Sequence, residues 1–364
     1  MTLFVELFKK IFSGSVLKKN VSRVIILALS LNVIFGVLFY YAERDVQPDL
    51  TLIDAIWWAM VTMTTVGYGD FYAQTFSGRF LISYPCMLLG IGIIGYLVGI
   101  VAESMLERGS RKRKGLLRIK MKNHLIICNF PGEAKIFRLQ DELQRTVTYK
   151  DIPIVLVSNN IEQLPEALVD RKIRFVKGDP VSEEVLIKAN VLESAGVIIL
   201  AEDIDNTESD TKTFAIGTQI EMIERESGIP IKVVVELVSM NNIKMMRRSK
   251  VDSIVTADGI MDVLIAQEFL YPGLHDVFQE ILSNASGSQF YILKNNFKGF
   301  TFADIQKKAL EFPKNIQIVG FNRDGKSVMN PDKNVTIDQN DRLIVLANSK
   351  LDYEEFEKNI NKFN

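Results

Sequence analysis

The sequence predicts an α-helical two-span membrane domain with a re-entrant loop, then an α/β doubly wound domain and a small α+β lobe. Three observations carry this. Residues 24–42 and 80–102 hold no charged side chain. A short apolar stretch between them, 53–63, runs into the motif TTVGYGD. From residue 124 to 257, six short apolar runs alternate with helical patterns. That alternation is how parallel strands joined by crossover helices read in a sequence.

Composition removes several function classes. Net charge is −1, so no basic excess points to nucleic acid. Cys86 and Cys128 stand far apart, with neither a disulfide framework nor a metal-site spacing. His124 and His275 are isolated and are read as structural. Within 1–20, LFVELFKKIF sets apolar residues at helical spacing beside lysines, as in a helix lying on a membrane surface. As helices, the two apolar stretches span about 28 and about 34 Å, enough for a bilayer. Lys9, Lys10, Lys18, Lys19 and Arg23 precede the first, and Arg108, Arg111, Lys112, Arg113 and Lys114 follow the second. This asymmetry puts both termini in the cytoplasm of a multi-pass protein of the inner (cytoplasmic) cell membrane.

Residues 53–63 are too short to cross and have polar ends, which is the pattern of a re-entrant half-helix. Irregular backbone at membrane depth is tolerated only when buried in protein or lining an aqueous path. Gly67 and Gly69 allow conformations that aim consecutive carbonyls in one direction. Carbonyls with a threonine hydroxyl can replace the water shell of a cation.

Thr62-Met63-Thr64-Thr65-Val66-Gly67-Tyr68-Gly69-Asp70 resembles the potassium-channel signature along its whole length. The resemblance implies K+ as the permeant ion, with Thr65, Val66, Gly67, Tyr68 and Gly69 in the ion-conducting filter. It implies support from Trp57, Trp58, Thr64 and Asp70, with the Trp58 indole reaching the Tyr68 hydroxyl. Val61 stands where some members carry a carboxylate, so pairing of that group with Asp70 is lost. One chain supplies one strand of the path, so a homotetramer is implied. No arginine-rich span precedes the motif, hence no voltage sensor of the usual kind. Gly90, Gly92, Gly95 and Gly99 fit close helix packing. LGIG at 89–92 also resembles the hinge of ligand-gated two-span potassium channels, which makes Gly90 a gating hinge. Pro85 is a second candidate for a bend.

The cytoplasmic part begins with a basic linker, 108–122, whose charges are solvated or hold anionic lipid. FVKGDP at 175–180, KANV at 188–191 and VVVELV at 233–238 resemble the RCK or TrkA-N type of Rossmann domain. On that resemblance the N-lobe covers 123–261. Residues 262–285, broken at Pro272-Gly273, form a helical crossover through which two domains clasp. A C-lobe covers 286–350, with a hairpin turn at NRDG, and 351–364 form a tail. The resemblance further implies a gating ring, octameric when extra soluble copies start at Met105 or Met121. Its ligands would be Ca2+ or an adenine nucleotide such as NAD.

The ligand residues are less regular. Of the dinucleotide fingerprint, the loop Cys128–Glu133 keeps only Gly132, and Pro131 removes a donor. The second strand ends in Ser158-Asn159-Asn160 rather than an acid. Asn129, Gly132, Ser158 and Asp179 remain as nucleotide contacts. Glu236 matches an acid that coordinates calcium in some relatives, while the companion positions hold Val238 and Ala201. Glu202, Asp203 and Asp205, with Glu208 and Asp210, form either a second metal set or a solvated acidic loop. No nucleophile or base accompanies Glu236, so no enzyme is expected. The reading is a ligand-gated potassium channel. The alternatives are a subunit of a K+ uptake transporter and a membrane-anchored NAD-dependent oxidoreductase.

Overall fold

In the computed structural model the described residues are 15–361, apart from 147, 257, 285, 286 and 298. The amphipathic segment expected at 3–12 lies outside them. The chain divides between Arg113 and Lys114 into two compact units.

The first unit contains α1 (Ser15–Glu43), α2 (Leu52–Met63) and α3 (Tyr84–Arg113), the last preceded by a π-helical turn at Ser77–Ser83. Ser22–Glu43 and Ser77–Arg113 are long and apolar enough to cross a bilayer. The second helical stretch is longer at both ends than its uncharged core. Its entry is a π turn in which the Ser83 hydroxyl donates to the Gly78 carbonyl at 2.7 Å. Pro85, which has no N–H to place in a helical ladder, follows that turn directly. A capping box starts α2, where the Thr51 Oγ1 accepts from the Asp54 N–H and the Asp54 carboxylate from the Thr51 N–H. Gly36 lets α1 approach α2, since a Cβ there would come within 2.7 Å of the Ile56 Cα. Close by, Phe39 stacks on Trp58 with ring centroids 3.6 Å apart. The buried Glu43 carboxylate accepts from the Gln74 N–H, the Thr75 N–H and the Thr75 hydroxyl at 2.9, 3.0 and 2.7 Å. It thereby fixes the loop that leads into the π turn.

The second unit opens with a parallel sheet of β1 (Leu125–Cys128), β2 (Ile154–Ser158), β3 (Arg174–Lys177), β4 (Gly196–Ile199), β5 (Val233–Leu237) and β6 (Ser253–Thr256). Its order is β3-β2-β1-β4-β5-β6, the doubly wound arrangement. The helices between strands are α4 (Glu133–Gln144), α5 (Glu166–Asp170), α6 (Glu183–Lys188), α7 (Ser209–Ser227) and α8 (Ile243–Met246). β1 and β2 are buried throughout because helices cover both faces. β6 is an edge strand with Ser253 and Val255 exposed.

α9 (Ile260–Leu270) and α10 (Leu274–Leu282) follow, separated by Gly273 at φ +98°. They contain no buried residue, and Ile265, Phe269 and Leu270 are exposed. An antiparallel sheet, β7 (Gln289–Lys294), β8 (Ile316–Arg323), β9 (Lys326–Met329) and β10 (Arg342–Ala347), then forms in the order β7-β10-β8-β9. α11 (Phe302–Glu311) packs into its core. Of the tail expected at 351–364, the described residues 351–361 supply most of a helix, α12 (Lys350–Asn361). Its Tyr353 and Phe356 are buried in the same core.

The expected linker 108–122 is also not uniform. Its first residues continue α3 to Arg113. Beyond them the chain is a strap laid on the parallel sheet's edge. Gly115 (φ +64°) accepts from the Lys177 N–H at 3.1 Å and from Lys188 Nζ at 2.8 Å. Ile119 is buried, and its N–H donates to the Lys188 carbonyl at 2.9 Å.

Candidate functional site

The loop after α2 is held by its amides. The Thr64 N–H and hydroxyl donate to the Met60 carbonyl at 3.0 and 2.7 Å. The Thr65 N–H donates to the Thr62 carbonyl at 3.1 Å, and the Val66 and Gly67 N–H groups share the Val61 carbonyl at 2.9 and 3.1 Å. These bonds use the carbonyls that the end of a helix leaves orphaned. The backbone alternates in hand, with φ of +59° at Thr65, +54° at Gly67 and +78° at Gly69, while Val66 and Tyr68 stay outside that region. Alternation turns successive peptide planes so that their carbonyls emerge on one side. Among the described residues the carbonyls of Thr65, Val66, Gly67 and Tyr68 accept no hydrogen bond. They form a row of free acceptors next to the negative end of the α2 dipole, an arrangement suited to a dehydrated cation.

Trp57, rather than a carboxylate at position 61, partners Asp70, with its Nε1–H donating to Asp70 Oδ2 at 2.8 Å. The same indole lies parallel to the Tyr68 ring at 5.9 Å. Trp58, expected to reach the Tyr68 hydroxyl, is turned into the core against Phe39. Gly90 is the point where α3 lies against α2, because a Cβ there would sit 2.4 Å from the Met63 carbonyl oxygen. Gly92, Gly95 and Gly99 face open space in the single chain.

In the second unit the sheet order reverses between β1 and β4, which opens a crevice at their carboxyl ends. Asn129 (φ +71°, buried) bridges it, with Nδ2 donating to the Leu200 carbonyl at 2.8 Å. Gly132 (φ +125°) starts α4 beside it. Ser158 is buried and accepts from the Asn160 N–H at 3.1 Å. Asp179 is exposed and caps a turn through the Val181 N–H at 3.1 Å.

The acids of the crevice are already partnered. Glu236 accepts from Lys135 Nζ at 2.5 Å and from the Ala201 N–H at 3.1 Å. Glu202 accepts from Lys212 Nζ at 2.9 Å, and that ammonium also reaches Asn159 Oδ1 at 3.2 Å. Asp203 folds onto the Asp205 N–H at 3.0 Å. Asp210 is buried and accepts from the Val238 N–H, the Ser239 N–H and Asn242 Nδ2 at 2.7, 3.1 and 2.7 Å. Among the described residues no three His, Cys, Asp or Glu side chains gather as a metal site. Glu236, Glu202, Asp203 and Asp205 therefore do not converge in this conformation. Burial pushes the Cys128 thiol up to about 12, which removes it as a nucleophile.

Comparison with known proteins agrees with this division. Residues 27–107 match the family described as an ion channel. Residues 120–246 match the calcium-activated potassium channel slowpoke-like RCK domain. This chain joins an ion-channel domain to an RCK domain. Residues 259–362 further match the Castor and Pollux family, part of a voltage-gated ion channel. The calcium-gated potassium channel TvoK of Thermoplasma volcanium is 25% identical over 356 residues, covering 96% of this chain and 97% of that relative. Potassium channel protein 1 of Methanocaldococcus jannaschii is 34% identical over 160 residues, or 42% of this chain. The chain matches 46% of that protein's length. Among solved structures, the human SLO3 gating ring superposes with a TM-score of 0.50 at 14% identity, covering 64% of this chain and 46% of that one. The likeness to SLO3 is one of fold. The GsuK channel bound to NAD is similar at a TM-score of 0.46 and 14% identity, covering 91% of this chain and 57% of that one.

Within the RCK domain, Asn129 and Gly132 come together at the crevice, as do Glu236 and Glu202 through their neighbours at Ala201. Asp179 sits apart in an exposed turn. Lys135 and Lys212, which neutralise the crevice acids, escape sequence reading. Lys135 and Glu236 are 101 residues apart, and no local pattern links them.

Proposed function

We propose that this chain is the subunit of a ligand-gated potassium channel, assembled as a homotetramer in the inner (cytoplasmic) cell membrane with both termini in the cytoplasm. The observation that carries the reading is the row of free carbonyls from Thr65 to Tyr68, held by amides tied back to α2. Thr65, Val66, Gly67, Tyr68 and Gly69 line the ion path, Trp57, Thr64 and Asp70 brace it, and Trp58 anchors α2 against Phe39. Gly90 serves as the hinge. At Gly90 α3 rests on Met63, and the open space at Gly92, Gly95 and Gly99 leaves the following turns free to swing.

The RCK domains assemble through the exposed apolar residues of α9 and α10, either as four copies or as eight when soluble copies join the ring. Ligand binding changes the ring, and the strap at 114–121, docked to the RCK domain, passes the change towards α3. The energy for opening is the ligand's differential affinity for the open ring. Calcium and the adenine nucleotides are the ligands to test, because the Thermoplasma relative is named as calcium-gated and the crevice has the position of a nucleotide site.

Single-channel recording from purified protein in planar bilayers tests the reading. Calcium, ADP or ATP, and NAD are added in turn to the cytoplasmic face. Potassium-selective openings shifted by one ligand are the expected result. A folded tetramer that passes no potassium under any condition would overturn it.

A further inference from the structure

The geometry points to a binding site for a small zwitterion of the α-amino-acid class in the C-terminal lobe, between the edge strand β7 and α12. A cavity of about 410 Å³ lies there, within the range of small-molecule sites. Nothing in the conduction path or the crevice uses it.

The charges on its walls are unusual. Lys294 on β7 and Arg342 on β10 are directly paired in register. Like charges placed opposite one another across two strands repel and destabilise the pairing. Both side chains are exposed, and among the described residues neither takes part in an ion pair. Two cations thus line one wall with no carboxylate to relieve them.

The helical wall carries the opposite sign and is partly relieved, with Lys350 beside it. Glu354 and Glu357 stand three residues apart on α12, so they share a helix face. Burial, with the neighbouring Glu354 charge, raises the pKa of Glu357, opposed by its bond to the Asn296 N–H at 2.8 Å. Glu354 has only the exposed Lys350, at 3.4 Å. Neither acid lies within ion-pair distance of Lys294 or Arg342.

A ligand with one anionic and one cationic end relieves both walls at once. Its carboxylate meets Lys294 and Arg342, and its ammonium meets Glu354 and Glu357. Ile292 offers apolar surface for a side chain. A phosphate would satisfy the strand wall and be repelled by the helix wall, and a simple amine would do the reverse.

The site stands apart from potassium conduction, and its test reads binding alone. Purified full-length channel is titrated calorimetrically with individual L-α-amino acids, and with acetate and methylammonium as the separate half-ligands. At least one amino acid is expected to bind saturably, and acetate and methylammonium at least about tenfold more weakly. Arg342→Gln and Glu357→Gln should each weaken the amino acid at least about tenfold. Lys294→Met, at an exposed strand position, does the same and guards against misfolding of the other variants. Two results would overturn the proposal. One is that no amino acid binds to folded protein at millimolar concentration. The other is that acetate or inorganic phosphate binds as tightly as the amino acids and Glu357→Gln changes nothing.

Discussion

Replacing Gly67 by alanine tests whether the loop works through its backbone. Gly67 sits at φ +54°, and a Cβ there would meet nothing within 4 Å in its own chain. The cost is therefore conformational, about 1–2 kcal/mol for a left-handed L residue. In the proposed fourfold path it is incurred once per chain, about 4–8 kcal/mol in all. At 1.4 kcal/mol per decade, that shifts the population of the observed loop by about three to six orders of magnitude. Val66→Ala is the matched control, since position 66 lies outside the left-handed region and keeps its amide bond to Val61. Both variants go into liposomes, and potassium flux is compared with sodium flux. Gly67→Ala should lose potassium-selective flux while the tetramer persists on size-exclusion chromatography, and Val66→Ala should keep selectivity. If Gly67→Ala passes potassium over sodium as well as wild type, the free-carbonyl row is not the selective element.

Three further outcomes follow from the RCK domain. A Cβ at Gly115 would lie 2.4 Å from the Lys177 N at φ +64°, so Gly115→Ala should displace the strap at a cost of about 2 kcal/mol or more. Bilayer recording should then show unchanged potassium selectivity and a loss of ligand response. Burial holds the His124 pKa below its ordinary value, partly opposed by the Ala189 carbonyl at 2.9 Å. Because the folded value is the lower one, its stabilising contribution is full above about pH 6.5 and is lost as pH falls through the folded pKa. The melting temperature should drop between about pH 7.5 and about pH 5.5, and His124→Gln should flatten that drop. The nearly buried Asp341 accepts from Arg323 Nε and Nη2 at 2.7 and 2.6 Å and from the Asp338 N–H at 2.8 Å. Asp341→Asn should cost about 1–3 kcal/mol by thermal denaturation, discounted because Arg323 is partly exposed.

What could be read in the sequence was what depends on local repetition. The apolar spans, the glycine alternation and the six-strand rhythm are written at spacings of a few residues, and the structure keeps all three. What escaped depends on contacts between distant residues. KLDYEEFEKNIN reads as a charged tail because, among its described side chains, Tyr353 and Phe356 alone are buried. The strap at Gly115 looks like more of a basic linker until Lys177 and Lys188 are folded against it. Trp57 and Trp58 are adjacent and chemically identical, so only the helix's rotation shows that Trp57 faces Asp70 and Trp58 faces Phe39.

The two lysines of the crevice constrain any regulatory ligand. Lys135 and Glu236 are about four-fifths buried, as are Lys212 and Glu202. Each ion pair is thus desolvated and costly to break on one side only. A divalent cation at Glu236 must first expel the Lys135 ammonium, and the Ala201 N–H already occupies the other carboxylate oxygen. A phosphate needs no such expulsion of a cation. It can take Lys135 near the start of α4, where the helix dipole also favours negative charge, but it then leaves Glu236 with only a backbone donor. Either ligand therefore spends part of its binding energy on exchanging an internal partner, and its observed affinity is lower by that amount. The exchange also links binding to movement. Lys135 belongs to α4 and Glu236 to β5, on the two sides of the point where the sheet order reverses, so releasing one from the other removes one side-chain tie between halves that the β1–β4 ladder continues to join. The strap's hydrogen bonds run to the first half, through Lys177 and Lys188. A ligand that breaks the Lys135–Glu236 latch thus acts on the half of the domain that holds the connection to the inner helix.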